Sequence, residues 1–341
     1  MTINVRDLGV VDAAEWFRHR SYDYTQFSIE GLGRKKAEQN LTVDAVLPGR
    51  NVADTIGGIV DEIHAVNQRS EREAGVPLVD RILVVDADSP DGTARVAREH
   101  GAEVFSENEL MSHYGGAHGK GDAMWRALSV ASGDLVMYMD TDTKDFRDEL
   151  VWGVLGPILT VPQVRYVKAA YRRPFKAGEK LEEDGGGRVT ELSAKPLFNL
   201  FYPELAGFVQ PLAGEFVADR ELFSSIPFMT GYAVETNVMI DVLNKVGLAA
   251  MAQVDLGTRQ NRHQPLRDLS RMSYAVLRAV ARRMREDGRL DLSRDKRVPP
   301  SLNQFSDYLH AVATPDGLKL NEYVEELVER PPIRDVVKNY R

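Results

Sequence analysis

The chain has 341 residues, of which 43% are hydrophobic, enough to bury a large core without disulfides or structural metals. Its 43 lysines and arginines against 51 aspartates and glutamates give a net charge of −8, which excludes a general nucleic-acid coat and means that a polyanionic ligand must be met by a local basic patch or a cation. Cysteine is absent, no apolar run reaches the roughly 18 residues of a spanning helix, and the opening MTINVRDLGVVDAAEWF carries acids where a secretory signal would be apolar. The expectation is a cytoplasmic protein with no membrane or nucleic-acid partner.

In chain order, residues 1–40 contain an amphipathic piece at Ala13 to His19 and read as a docking segment. Residues 41–160 alternate short β-rich runs with helix-like stretches, the pattern of a parallel sheet with crossover helices. Strands are predicted at Thr42 to Leu47, Arg81 to Val85, Glu103 to Phe105 and Leu135 to Met139. Helical spacing covers Val52 to Gln68 and Lys120 to Ser132, and Asp91-Gly92-Thr93 opens a further helix with a capping residue. Each strand runs into a polar segment, namely Pro48-Gly49-Arg50-Asn51, Asp86-Ala87-Asp88-Ser89, Ser106-Glu107-Asn108 and Asp140-Thr141-Asp142. Ligands of open α/β sheets bind beyond the carboxyl ends of the strands, so these segments are expected to line one crevice. Residues 161–290 are read as an acceptor-binding α+β half, with a strand at Arg165 to Tyr171, a helix at Val234 to Val246 and a strand-like run at Ala252 to Leu256. Residues 291–341 are a charged tail with Pro299-Pro300 and Pro331-Pro332, suited to irregular wrapping or subunit contacts.

Asp140 and Asp142, separated by one residue at a strand end, can bridge a hard divalent cation to a diphosphate. A sugar leaving with a nucleoside diphosphate builds negative charge that such a cation stabilises in the transition state. Acidic turn residues also follow strands for structural reasons; the second triplet, Asp86-Ala87-Asp88, at a neighbouring strand end favours the nucleotide reading. Lys120, in His118-Gly119-Lys120-Gly121-Asp122, precedes a helix where amides and an ammonium can face phosphate oxygens, although the spacing is not that of a P-loop. The run Gly185-Gly186-Gly187-Arg188-Val189-Thr190 suits a small anion, because glycines let amides approach and arginine binds phosphate or carboxylate in two places. Arg259-Gln260-Asn261-Arg262-His263 offers further cations and an imidazole able to complete an oxygen-rich Mg²⁺ or Mn²⁺ site with the acidic triplet. Pro211-Leu212-Ala213-Gly214-Glu215 and Gly231-Tyr232-Ala233-Val234-Glu235 are candidates for sugar recognition, Glu235 as an acceptor from hydroxyls.

With these residues in place, the stretch from Thr42 to Met272 resembles the glucosyl-3-phosphoglycerate and mannosyl-3-phosphoglycerate synthase group of retaining glycosyltransferases. Its most specific motifs are Gly119-Lys120-Gly121, Tyr171-Arg172-Arg173-Pro174, Gly185 to Leu192, Gln210-Pro211-Leu212 with Gly214-Glu215, and Gly231-Tyr232 with Val234-Glu235. The resemblance implies a GT-A fold, a Rossmann-like nucleotide-binding lobe with a mostly parallel sheet fused to the acceptor half. It also implies a homodimer, and hexose transfer to the 2-hydroxyl of 3-phosphoglycerate with retention, in compatible-solute or polysaccharide-precursor synthesis. By the same resemblance, Asp140 and Asp142 belong to the metal and diphosphate site, Lys120 meets the nucleotide, Glu235 contacts the sugar, Gly187, Arg188 and Thr190 hold the phosphoglycerate, and the Leu212 carbonyl orients the acceptor hydroxyl. The residues themselves add Pro48, Gly49, Arg50, Asp86, Asp88 and Thr141 as candidates for the nucleotide sugar, Arg259 and Asn261 for the acceptor, and His263 as the third metal ligand beside Asp140 and Asp142. Asp142, the Leu212 carbonyl, Arg188 and Glu235 are the catalytic candidates.

Two departures bear on the donor and the metal. After the first strand the glucosyl enzymes carry an acidic residue where this chain has Leu47-Pro48-Gly49-Arg50-Asn51-Val52-Ala53, so GDP-mannose and GDP-glucose stand beside UDP-glucose as donors. The expected metal-site histidine aligns with Asn261, while His263 lies two residues on. The competing readings are another GT-A enzyme with a different small acceptor, and a sugar-phosphate nucleotidyltransferase. The latter would carry a glycine-rich basic signature after its first strand, which Pro48 to Val52 lacks.

Overall fold

The computed structural model describes residues 10–177, 180–182, 186–259, 264–290, 305–314 and 317–337. Helix α1 (Val10–Arg20) leads into the short strand β1 (Ser21–Asp23), and α2 (Ile29–Gln39) starts at Ser28, whose hydroxyl accepts from the Gly31 N–H. There follow β2 (Val43–Gly49), α3 (Ile56–Ala74), β3 (Arg81–Asp86), α4 (Thr93–Glu99), β4 (Glu103–Ser106), α5 (Lys120–Ala127), β5 (Leu135–Tyr138) and α6 (Glu149–Thr160). The second half adds β6 (Tyr166–Arg172), the paired β7 (Phe175–Ala177) and β8 (Lys180–Glu182), and a π-helical turn Thr190–Ala194 that runs into α7 (Lys195–Phe201). Next come β9 (Phe216–Asp219), α8 (Arg220–Ser224), β10 (Phe228–Met229), α9 (Val234–Val246), β11 (Met251–Thr258) and α10 (Leu266–Glu286). The hairpin β12 (Phe305–Thr314) and β13 (Gly317–Glu326), then β14 (Glu329–Arg330) and α11 (Ile333–Val336), close the described chain.

Eight strands form one sheet in the order β1-β11-β6-β9-β5-β2-β3-β4, parallel except for β9, which runs antiparallel between β5 and β6. Successive side chains enter opposite layers. Val43, Ala45 and Leu47 of β2, with Leu135, Met137 and Met139 near β5, pack under α2, α3 and α6. Val46, Val136 and Tyr138 enter the other core, with Trp125 of α5 and Val234 and Val238 of α9. Strands buried on both faces read as continuous apolar runs, which is why they are visible in the sequence. With both faces covered, the strand ends remain for a ligand.

The predicted strands at 42–47, 81–85, 103–105 and 135–139 correspond to β2, β3, β4 and β5, and the helix predicted at 234–246 is α9. The helix expected from Val52 begins at Ile56 instead, because Val52 N–H donates to Thr93 Oγ1 and Ala53 N–H to Asp91, tying a turn across to the start of α4. The helix expected to run to Ser132 ends at Ala127 and continues only as turns. The sheet ignores the division expected at residue 160: β6, β9 and β11 extend the one begun by β2 and β3, and β1 of the N-terminal segment forms its edge.

Candidate active site

A cavity of about 710 Å³ lies across the carboxyl ends of the central strands. Pro48, Gly49 and Arg50 after β2, Ala87 after β3, Glu107 after β4 and Asp140, Thr141 and Asp142 after β5 all line it. The acidic triplet is held by its middle residue. Thr141 Oγ1 donates to the Pro48 carbonyl at 2.7 Å, and the Thr141 carbonyl accepts from Thr55 Oγ1 at 2.6 Å. Asp140 and Asp142 thereby present their carboxylates to the cavity.

Asp140 sits at the centre of a buried charge network. Lys120 Nζ donates to Asp140 Oδ1 at 2.5 Å and to Glu235 Oε1 at 2.7 Å, joining the first turns of α5 and α9 to the triplet. Behind it, Arg259, 1% exposed, pairs with the fully buried Glu215, donates to Tyr171 Oη at 3.1 Å and stands 3.5 Å from Asp140 Oδ2. Burial works against all of these charges, but Lys120 and Arg259 hold the Asp140 carboxyl well below its ordinary range, and Asp140 and Glu235 hold the Lys120 ammonium well above its own. Asp142 shifts the other way: burial and the adjacent Asp140 charge raise its pKa. Among the described residues no cation forms an ion pair with Asp142, so a hard divalent cation held by these carboxylates would relieve a like-charge contact that Arg259 and Lys120 offset only in part. That donor set of carboxylate oxygens fits Mg²⁺ or Mn²⁺. His263 and Asn261, the alternatives for a further ligand, lie outside the described residues.

Gly214 makes the network possible. A methyl group there would stand 2.0 Å from Asp140 Oδ1, so only glycine lets the carboxylate lie against the backbone of this turn. One layer deeper, Lys168 of β6 is fully buried with its ammonium 4.3 Å from the Phe216 ring centroid, and burial brings its pKa down to about 7.

The opposite wall comes from the second half. Gly186, Gly187, Arg188, Val189 and Thr190 line the same cavity, with Leu212, Arg173 and Gln264. Gly187 has φ +69°, which a side chain would strain, and Gly186 lies against Arg173 too closely for a Cβ, which would stand 2.5 Å from the Arg173 carbonyl oxygen. Arg188 Nη2 donates to the Gln264 carbonyl at 2.9 Å. Gln210 Nε2 donates to the Tyr171 carbonyl while its buried Oε1 accepts no protein hydrogen bond among the described residues. The wall is therefore cationic and rich in donors, as a small phosphorylated acid requires.

Several of the expected site residues also have structural partners. Asp86 and Asp88 flank Ala87, which lines the cavity: Asp86 Oδ2 accepts from Ser89 N–H at 3.0 Å while its buried Oδ1 has no protein partner among the described residues, and Asp88 accepts from Asn108 Nδ2 at 2.7 Å. Arg259 lines the cavity, and its guanidinium is paired with Glu215, Tyr171, Thr143 and Asp140, so it also supports the triplet. Glu215, placed with the sugar-recognition candidates, is buried in the same network. Sequence reasoning passed over the pairing of Lys120 with Glu235, which lie 115 positions apart, and named Glu107 only as part of a turn.

Residues 45–150 match Glycosyl transferase family 2. The chain is 38% identical to glucosyl-3-phosphoglycerate synthase of Petrotoga mobilis over 316 residues, 92% of this chain and 93% of the relative. Among solved structures it is similar to mannosyl-3-phosphoglycerate synthase from Rubrobacter xylanophilus, with 73% identity, a TM-score of 0.87, and coverage of 96% of this chain and 98% of that one. It also resembles glucosyl-3-phosphoglycerate synthase from Mycobacterium tuberculosis in complex with Mn²⁺, UDP-glucose and phosphoglyceric acid, with 33% identity, a TM-score of 0.75, and coverage of 91% and 96%.

Proposed function

As the chain belongs to the glucosyl- and mannosyl-3-phosphoglycerate synthase family, we propose that it transfers a hexose from a nucleotide-diphosphate sugar to the 2-hydroxyl of 3-phosphoglycerate with retention at the anomeric carbon. One observation carries the reading: the strand-end carboxylates and the Gly187-Arg188-Thr190 wall face each other across a single cavity, so a diphosphate and a phosphorylated acid can be held at once. Mannose is the favoured hexose, because the structure 73% identical to this chain is a mannosyl enzyme.

Asp140 and Asp142 would hold the divalent cation, with His263 as the proposed further ligand. The metal, when bound, neutralises charge on the departing diphosphate. Lys120 anchors Asp140 and Glu235 together, and Glu235 accepts from the sugar hydroxyls beside it. Arg188, Gly187 and Thr190 grip the acceptor, and the Leu212 carbonyl orients its hydroxyl toward the sugar. The same-face path assigns no covalent role to any carboxylate; the leaving diphosphate takes the acceptor proton as the new glycosidic bond forms.

The decisive assay supplies Mg²⁺ or Mn²⁺ and 3-phosphoglycerate with GDP-mannose, GDP-glucose or UDP-glucose. Nucleoside diphosphate is expected only when both substrates are present; equal release without the acceptor would overturn the synthase reading. Asp142→Ala is expected to lower turnover at least a hundredfold with an unchanged circular dichroism spectrum. We further propose a cytoplasmic homodimer: no described helix is long and apolar enough to cross a membrane, and Leu320 and Val324 of β13 leave an apolar face for a second copy.

A further inference from the structure

Glu107 is the acid that the functional account leaves unused. It lies at the carboxyl end of β4, is only 9% exposed, and lines the cavity. Its backbone is fixed from both sides: its N–H donates to the Asp86 carbonyl at 2.9 Å, and its carbonyl accepts from Arg126 Nη1 at 3.1 Å. Its carboxylate accepts no hydrogen bond and forms no ion pair among the described residues. The charges that act on it are Asp122 and Asp88, which oppose its ionisation, and Arg126 and Arg50, which favour it. A buried carboxylate without partners is costly unless something arrives to donate to it.

Its place in the sheet says what arrives. From β5, whose end carries the acidic triplet, the order runs through β2 and β3 to β4. Three inter-strand steps put Glu107 about 14 Å along the crevice from the diphosphate end. That is where the base of a nucleotide lies when its phosphates sit at Asp140 and Asp142. A carboxylate offers acceptors only. Guanine alone among the common bases presents two adjacent donors, N1–H and the N2 amino group, while uracil flanks its single N–H with carbonyls. Arg50, which lines the cavity after β2, supplies the complementary donors for guanine O6 and N7.

We propose that Glu107 selects the donor base, its carboxylate accepting from guanine N1–H and N2–H while Arg50 donates to the opposite functional edge, so that the donor class is a guanosine diphosphate hexose. The inference rests on the nucleotide-sugar reading of the cavity and adds the residue that decides the base.

Calorimetric titration of the full chain with GDP, inosine diphosphate and UDP, each with Mn²⁺, tests it. Inosine diphosphate differs from GDP only by the missing N2 amino group. The wild type is expected to bind GDP at least tenfold more tightly than either competitor, and Glu107→Gln, which turns one acceptor into a donor at constant volume, to bring GDP and inosine diphosphate within about twofold of each other. Equal affinity for GDP and inosine diphosphate in the wild type, tighter binding of UDP, or an unchanged GDP preference in a folded Glu107→Gln would overturn the assignment. The wild-type comparison needs no variant to fold. The outcome is separable from the transfer reaction: hexose transfer to 3-phosphoglycerate from UDP-glucose with no GDP preference sinks the base assignment alone. Retained GDP selectivity with no transfer from any donor sinks the synthase reading alone.

Discussion

The methyl group missing from Gly214 is worth more to the site than most side chains. With Cβ built there, Asp140 Oδ1 would lie at 2.0 Å and Cγ at 2.2 Å, so Gly214→Ala must push the carboxylate off Lys120 and Arg259. The obstacle is the end of a side chain that can rotate away, so the fold is expected to survive with a melting temperature a few degrees lower, while turnover falls at least tenfold and the Mn²⁺ needed for half activity rises. A variant with wild-type metal dependence would show that Asp140 is not where the metal acts. Glu107 makes the opposite kind of prediction. Burial, reinforced by the charge of Asp122, pushes its pKa from the ordinary 4.5 up to about 7. Between those values the folded chain keeps a proton that the unfolded chain has lost, so stability falls as pH rises through the window and the full cost is present above pH 7. Glu107→Gln is therefore expected to be more stable than the wild type at pH 8, by on the order of 2 kcal/mol, with the difference vanishing near pH 4.5; urea denaturation at the two pH values measures it. At this scale the sequence was readable where chemistry and punctuation coincide, as in Asp140 after a strand or Lys120 between glycines. It placed Arg259 and Glu107 near the crevice but not their partners, which depend on which strands become neighbours.

Helix α5 carries Lys120 on its first turn, and its position is fixed by residues far along the chain. Asp122, fully buried, accepts from Arg330 Nε at 2.8 Å and Nη2 at 2.7 Å, and Trp125 Nε1 donates to the Pro331 carbonyl at 2.7 Å. Strand β14, which bears Arg330, is paired antiparallel with β10. Arg126 on the same helix donates to the carbonyls of Glu107, Leu110 and Gly115, gathering the loop between β4 and α5. Arg330→Ala leaves the Asp122 carboxylate with Arg126 as its one close cation at 3.3 Å, and breaking a buried pair in this way costs about 3 kcal/mol. The expected result is an unfolding free energy lowered by that amount, read as a lower denaturation midpoint, and a raised KM for the nucleotide sugar, since Lys120 lies two residues from the loosened aspartate; an unchanged midpoint would mean that the pair contributes nothing net. The elements themselves were legible where periodicity is strong: α9 falls at the predicted residues, and β2 to β5 within a residue or two. The antiparallel β9, Phe216 to Asp219, was not, because its direction is set only by insertion between β5 and β6.

One sheet spans what the sequence divides at residue 160, so the two cavity walls proposed for donor and acceptor belong to one frame and their separation is held by strand pairing rather than by a hinge. The hairpin of β12 and β13 stands apart from that sheet: its ten paired positions join only each other. A lone two-stranded ribbon is marginal in water, so its faces need cover. Alternation along β13 sorts them. Tyr323 faces the body, where the Arg271 guanidinium lies 4.6 Å from its ring centroid, and His118 Nδ1 lies 2.9 Å from Glu326 at the strand end. Leu320 and Val324, even-numbered and on the other face, are 56% and 70% exposed. Two large apolar side chains four residues apart on a ribbon beside the active-site mouth are a natural seat for the same ribbon of a second copy, because a two-fold axis lets each patch meet its own image. Light scattering of the wild type at micromolar concentration is expected to give twice the 38.1 kDa chain mass, and Leu320→Glu with Val324→Glu to give a monomer that keeps its circular dichroism spectrum. A monomeric wild type would remove the homodimer, while a dimeric double variant would move the interface to another surface, the next candidates being the exposed Leu192 and Leu200 that flank the acceptor wall.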